Sequence, residues 1–185
     1  MNNLYFDSDT TLDAILNLKI AVVGYGNQGR AQALNLRDSG LDVTVALREA
    51  SESVKRAQKD GFSCCDISQA TRECDVLSIL VPDQSMAGMY DEHISRHLKP
   101  GKVLLFSHGY NIHYQEIEPP HFVDVIMVAP SGPGYAVREE FKKGRGIPTL
   151  IAIKQDITGQ AKEVAISYSK AIGGTRSCCF LSTFK

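Results

Sequence analysis

Ile20-Ala21-Val22-Val23-Gly24-Tyr25-Gly26-Asn27-Gln28-Gly29 is the stretch that decides the fold. Four apolar residues, of the kind a strand buried on both faces uses, run into glycines spaced G-x-G-x-x-G, and Gln28–Arg37 behind them reads as a helix. In that context the glycines have separate tasks: Gly24 allows a tight turn, Gly26 lets backbone approach a pyrophosphate, and Gly29 lets the helix pack closely on the strand. The unpaired N–H groups of the first helical turn then face the phosphates. A glycine turn that only reverses the chain would not need the third glycine inside the helix.

Working outward, apolar runs alternate with helical patterns. Ile20–Val23, Val43–Leu47, Val76–Val81, Val103–Phe106, Val123–Ala129 and Thr149–Ile153 read as strands, without the polar alternation of half-solvated strands. Gln28–Arg37, Ser53–Asp60, Ser68–Glu73, Ser85–Leu98, Tyr135–Lys143 and Gly159–Ala171 read as helices. Asp38-Ser39-Gly40 and Lys99-Pro100-Gly101 are stop signals. Leu12, Ile15 and Leu16 are expected to pack as one helical turn, and Cys178–Leu181 as a last strand. The pattern predicts an α/β fold: a doubly wound, mostly parallel Rossmann-type sheet with helices on both faces. At 185 residues, 43% of them hydrophobic, the chain fits one well-cored domain.

Formal net charge is −1, with 20 basic and 21 acidic residues interspersed, so neither nucleic acid nor an anionic membrane is indicated as a partner. No apolar run reaches the ~18 residues of a membrane span, and Met1–Asp7 has no basic segment ahead of an apolar one. The five cysteines contain no C-x-x-C and are odd in number, which argues against a disulfide framework or a thiolate metal site. Reduced thiols in a cytoplasm are the expectation. His93 and His97 lack a third ligand at metal spacing and read as solvated residues near a helix end.

The chemistry is carried by the loops after the strands, where such sheets bind ligands. After Val43–Leu47 come Arg48, Ser51 and Ser53, a guanidinium and two hydroxyls suited to a 2′-phosphate and hence to NADP. Glu49 would favour NAD if it, rather than Arg48, pointed inward. In Pro82-Asp83-Gln84-Ser85-Met86, Asp83 or Ser85 can cap the next helix, and capping explains that loop as well as cofactor contact does. His108 follows a buried run, with Gly109 permitting close approach. It either moves a proton or is a loop histidine bonded to backbone. Pro130-Ser131-Gly132-Pro133-Gly134 is a rigid loop beside a cofactor or a plain turn.

Together these segments resemble the N-terminal domain of ketol-acid reductoisomerase, also called acetohydroxyacid isomeroreductase, an enzyme family of branched-chain amino-acid synthesis. The similar motifs are Gly24–Gly29 with Ala33–Gly40, Leu47-Arg48-Glu49 and its serines, His108–His113, Asp124–Pro130 and Ala171–Arg176, from about Tyr5 to Lys185. The resemblance implies that residues 1–185 form one NADP-binding domain and that the family's knotted helical C-terminal domain is absent. It also implies a magnesium-dependent alkyl migration in an acetohydroxy acid followed by reduction with NADPH. Tyr25, Gly26, Asn27, Gln28, Arg48, Ser51, Ser53, Asp83, Gln84, Ser85, Met86 and Gly134 would surround the cofactor, and His108 would be the active-site histidine. Asn27 replaces the family's serine. Ser131 replaces a lysine near the substrate, and serine cannot supply that charge. The magnesium carboxylates belong to the absent domain, so no metal ligand is expected in this chain and turnover would need a helical partner, with a homo-oligomer the other expectation. The alternatives are a stand-alone NADPH-dependent reductase with His108 as proton donor, and a non-catalytic NADP(H)-binding module.

Overall fold

The computed structural model describes residues 3–184, so Met1, Asn2 and Lys185 lie outside it, as does that part of the reading of the chain start. Nine strands form one sheet: β1 (Leu4–Tyr5), β2 (Ile20–Val23), β3 (Val43–Ala46), β4 (Cys64–Cys65), β5 (Val76–Ile79), β6 (Val103–Phe106), β7 (Asp124–Pro130), β8 (Thr149–Gln155) and β9 (Cys179–Leu181), in the order β1-β9-β8-β7-β6-β5-β2-β3-β4. The helices are α1 (Asn27–Asp38), α2 (Ser53–Lys59), α3 (Ile67–Glu73), α4 (Asp83–Met89), α5 (Tyr110–His113), α6 (Gly134–Lys142) and α7 (Ala161–Ala171).

Residues two apart on a strand share a face, and here both faces are covered. Ile20, Val22, Val45, Val76, Leu105, Ile126 and Val128 pack with α1 and α7 residues such as Leu36, Val164 and Tyr168. Ala21, Val23, Ala46, Leu77, Ile79, Leu104 and Phe106 pack with Ile67, Ala70, Met86 and Tyr90 on the other side. The chain winds β2 to β3 to β4 in one direction and returns to start β5 on the opposite flank of β2. The carboxyl ends of β2 and β5 therefore diverge and leave a crevice between the loops that follow them.

The mostly parallel sheet expected from sequence is present, with antiparallel pairs at β7–β8 and β1–β9, and three other expectations change. β8 runs antiparallel to β7, because α6 lies on α1 instead of crossing over the sheet. Asn35 of α1, fully buried, donates to the carbonyls of Val137 (3.3 Å) and Ile172 (3.0 Å) and accepts from Arg138 (2.8 Å), tying α1 to α6 and α7. The segment expected as one helix over Ser85–Leu98 begins at Asp83 and passes into a π-helical stretch, Tyr90–Ile94, and a 3₁₀ turn, Ser95–His97. His93 is thereby half-buried instead of solvated. Ile15 is fully buried and Leu12 packs against the same core, while Leu16 is half-exposed, so two of the three expected apolar residues face inward. The two-residue strands β1 and β4 and the short α5 had no counterpart in the sequence reading.

The five cysteines are free, and burial pushes the Cys74 thiol up to about 11. Among the described residues no helix is long and apolar enough to cross a membrane, and no group of three or more His, Cys, Asp or Glu side chains stands where it could hold a metal ion.

Candidate functional site

A cleft of about 200 Å³ opens at the carboxyl ends of β2, β3 and β5. Gly24 and Tyr25, Arg48, Ser51 and Ser53, and Val81, Pro82 and Ser85 line it from the three loops. The glycine loop and the arginine–serine loop, expected around one cofactor, face one space through Gly24, Tyr25, Arg48, Ser51 and Ser53.

The three glycines differ in what surrounds them. Gly24 has φ +97°, a left-handed backbone that other residues rarely adopt, and a Cβ there would meet Leu80 carbonyl oxygen at 3.0 Å. A Cβ on Gly29 would lie 2.2 Å from Gly24 carbonyl oxygen. Both are demanded by the chain itself. Gly26 is different: a Cβ there meets nothing within 4 Å, and its φ of −78° suits any residue. Nothing inside the protein requires glycine at position 26, and open space beside the start of α1 is what a bound phosphate group needs.

Tyr25 is part of the lining, but its ring is 2% exposed and packs edge-on against Phe62. Its hydroxyl donates to Asp60 (2.9 Å), which also pairs with Arg30 (2.7 Å). Burial first, then the Asp60 carboxylate, push the Tyr25 phenol above its ordinary value, so it stays protonated as a donor. The Arg30 hydrogen bond, helped by Tyr25, holds the Asp60 carboxyl below its usual value. Tyr25 thus anchors the loop through its side chain, and only its backbone is left to meet a ligand.

Gln28 also has a structural partner. Its amide donates to Gly132 carbonyl oxygen (2.9 Å), while its own oxygen accepts from Gln32 (3.1 Å). Gln32 accepts from the Tyr168 hydroxyl (3.0 Å), which in turn shares a hydrogen bond with Ser78 (2.8 Å). A polar chain therefore runs from the buried sheet to the Pro130–Gly134 loop. Gly134 abuts the glycine loop as well, since a Cβ on it would lie 2.1 Å from Asn27 carbonyl oxygen.

Arg48 is exposed at the mouth of the cleft, and Glu49 stands outside the lining of that cleft, in a neighbouring depression. Ser51 hydroxyl oxygen accepts from Ser53 N–H (3.3 Å). Sequence reading missed Arg56, one helical turn after Ser53, whose guanidinium donates to Tyr25 carbonyl oxygen (3.1 Å) and lies 3.5 Å from Ser53 hydroxyl oxygen. It also missed Met89, Glu92 and His93, which close the far end of the cleft together with Ile67. Their spacing from Ser85 (four, seven and eight residues) is a helical stripe that could have shown them.

Of the Asp83–Met86 group, only Ser85 lines the cleft. Gln84 is exposed, and Met86 is buried in the core with its sulfur near the Asn111 amide (3.5 Å). Neither Asp83 nor Ser85 caps α4. The flanking residue is Pro82, and Ser85 hydroxyl donates to its carbonyl (3.1 Å).

His108 lies at a second, wider depression of about 520 Å³, with Ser107, Gly109, Met127, Ala129, Leu150 and Phe184. Its Nδ1 accepts from Tyr110 N–H (3.2 Å), so the backbone-bonded alternative is present, and Asp83 Oδ2 stands 3.6 Å from the same nitrogen. The ring is largely exposed, with Nδ1 engaged by that N–H and Nε2 left as the nitrogen to carry a proton. Asn111, buried, donates to Asp83 carbonyl oxygen (3.3 Å) and so joins the His108 loop to the end of the cleft. Gly109 does allow a close approach, but by Phe184 carbonyl oxygen, 3.3 Å from where a Cβ would be. Ser131 is exposed, with its N–H on Pro148 carbonyl oxygen (2.8 Å).

Residues 14–178 match the family model described as acetohydroxy acid isomeroreductase, NADPH-binding domain. A ketol-acid reductoisomerase (NADP(+)) from Pyrococcus abyssi (strain GE5 / Orsay) is 49% identical over 182 residues, covering 98% of this chain and 55% of that protein. The chain thus spans about half the length of this curated relative. A solved NADH-preferring ketol-acid reductoisomerase from an uncultured archaeon superposes with a TM-score of 0.96 at 41% identity, over 100% of this chain and 57% of that one. A semialdehyde dehydrogenase NAD-binding protein from Cupriavidus necator shares the fold alone (TM-score 0.75, 18% identity, 91% of this chain and 64% of that one).

Proposed function

Since the chain belongs to the ketol-acid reductoisomerase family, as a match to its NADPH-binding domain, we propose that it binds NADPH in the cleft above β2, β3 and β5. The observation that carries this is Gly26: the one glycine of the loop that the protein itself does not need has open space beside it, and it directly follows Gly24 and Tyr25, which line the cleft with Arg48, Ser51 and Ser53. The pyrophosphate lies at Gly26 and the backbone of Asn27 and Gln28, at the start of α1, and Gly134 is kept small so that α6 can press against that backbone. Arg48 and the two hydroxyls take the 2′-phosphate. The relatives include proteins named for NADP and for NADH, so family membership alone does not set the preference, and these side chains are what favours NADPH here.

The bound cofactor supplies a hydride. For the family's full reaction we assign the acceptor as an acetohydroxy acid after its alkyl migration, in valine, leucine and isoleucine synthesis. His108 holds its proton at Nε2, oriented by the Tyr110 N–H on Nδ1, at the edge of the depression where such a substrate would sit. Magnesium does not fit the residues present: no carboxylate cluster that could hold it exists among the described residues. This chain is accordingly assigned cofactor binding, with turnover reserved for an assembly containing the metal carboxylates.

The chain has no tryptophan, so binding is best followed by the emission of the reduced cofactor itself. Titration with NADPH should saturate, with NADH at least tenfold weaker. Absence of binding by both refutes the reading, and equal or tighter binding of NADH refutes the assignment of Arg48.

A further inference from the structure

We propose that Arg56 is a selectivity-determining residue, the second cation for the cofactor's 2′-phosphate. The inference rests on the NADPH reading above and goes beyond the arginine–serine loop to a residue on α2.

Two features of Arg56 point this way. The first is its position. One nitrogen, Nη2, contacts both Tyr25 carbonyl oxygen (3.1 Å) and Ser53 hydroxyl oxygen (3.5 Å), at the junction of the two loops that line the cleft. A phosphate oxygen accepting from the Ser53 hydroxyl at about 2.7 Å would therefore be at most about 6 Å from Nη2, well inside one Debye length. The second is its charge balance. Arg30, Arg37, Arg138 and Arg145 each pair with a carboxylate. Among the described residues Arg48 and Arg56, like Arg72, Arg96 and Arg176 elsewhere, make no ion pair, and they are the two of these that stand beside the cleft's hydroxyls, although Glu49 and Glu52 lie in the intervening loop. Two guanidinium groups without carboxylates thus flank two hydroxyls.

A guanidinium has five donors, and only those on Nη2 are used, which leaves Nε and Nη1 for an anion. Arg56 is exposed, as Arg48 is, and stands just outside the residues that line the cleft, but its Nη2 is already held by two contacts from a helix, so less freedom is lost when a phosphate arrives. The competing role is a brace between Tyr25 and Ser53, which would serve NADH as well as NADPH.

The ratio of affinities separates these roles. Dissociation constants of NADPH, NADH, 2′,5′-ADP and ADP would be measured on the 185-residue chain and on Arg56→Gln and Arg56→Lys. Arg56→Gln is expected to weaken NADPH and 2′,5′-ADP about tenfold or more, and NADH and ADP less than threefold. Arg56→Lys keeps the charge without the fork and should lower the NADPH-to-NADH preference at least threefold, a readout that holds even where Arg56→Gln folds poorly. Equal weakening of both pairs means a brace only and overturns the proposal, as does no weakening at all. A parent chain that binds neither dinucleotide refutes the cofactor reading itself, a result visible before any variant is made.

Discussion

Replacing Gly26 and Gly29 by alanine, one at a time, should separate affinity from stability within a single loop. At Gly29 the new Cβ would stand 2.2 Å from Gly24 carbonyl oxygen and 2.9 Å from its carbon. Both are backbone atoms that cannot rotate away, so α1 must retreat by close to 1 Å. Overpacking of this kind costs about 1–3 kcal/mol, here toward the upper end, and alanine's better helix propensity returns about 1 kcal/mol. The net of about 2 kcal/mol corresponds to a melting temperature about 4–8 °C lower for a domain of this size. At Gly26 the Cβ has no neighbour within 4 Å and φ is −78°, so no strain arises. Loss of a favourable N-cap, about 0.5–1 kcal/mol, is balanced by the reduced freedom of the unfolded chain, and melting should move by less than about 2 °C. NADPH affinity should nevertheless fall at least tenfold, because the added methyl occupies the berth assigned to the pyrophosphate. Differential scanning fluorimetry and cofactor emission report the two quantities on the same samples. NADPH binding by Gly26→Ala within twofold of the parent would sink the assignment of that space. A Gly29→Ala chain as stable as the parent would sink the packing argument.

Asp60→Asn removes a carboxylate that Arg30 and Tyr25 hold below its usual value. A depressed carboxylate stabilises above its unfolded value of 3.8 and loses that contribution as pH falls through the lower folded value. The variant should melt about 2–4 °C below the parent from pH 5 to 8, with the gap closing below about pH 4, and a gap that instead widens in acid would refute the assignment. Asn35→Ala leaves two helix carbonyls and Arg138 without a buried partner and should cost about 3 kcal/mol in urea unfolding; a loss under about 1 kcal/mol would mean that α6 and α7 dock without it. Tyr168→Phe strips the hydroxyl shared by Ser78 and Gln32 and should cost about 1–3 kcal/mol with NADPH affinity kept within threefold. A larger fall in affinity would show that the polar chain tunes the cofactor site as well as the core.

The sheet's centre was legible because burial on both faces leaves long Val, Ile and Leu runs, and β2, β3, β5, β6 and β7 lie within two residues of their expected bounds. The edges were not: β1 and β4 are two residues each, too short for any period to register. Direction was also hidden, since β8 turns antiparallel through contacts on α6, such as Gly134 against Asn27, that no local pattern encodes. At the site, loop residues announced themselves by type, and Arg48, Ser51 and Ser53 do share the cleft with Gly24. Tyr25, placed at the cofactor by the family resemblance, does line the cleft, but the partner of its hydroxyl, Asp60, lies 35 residues away and only the fold brings them together. Arg56 and His93 escaped for the converse reason: each lies on a helical segment, where a polar side chain reads as surface.

The contact between Asn27 and Gly134, together with the Gln28 bond to Gly132, ties the glycine loop to the Pro130–Gly134 loop, so the two are expected to open as one unit. Amide hydrogens in both should exchange with solvent at a common rate set by a shared opening event. A dinucleotide resting on the first loop alone would slow exchange in the second without touching it. Order would then reach the region around Ser131 before any substrate does.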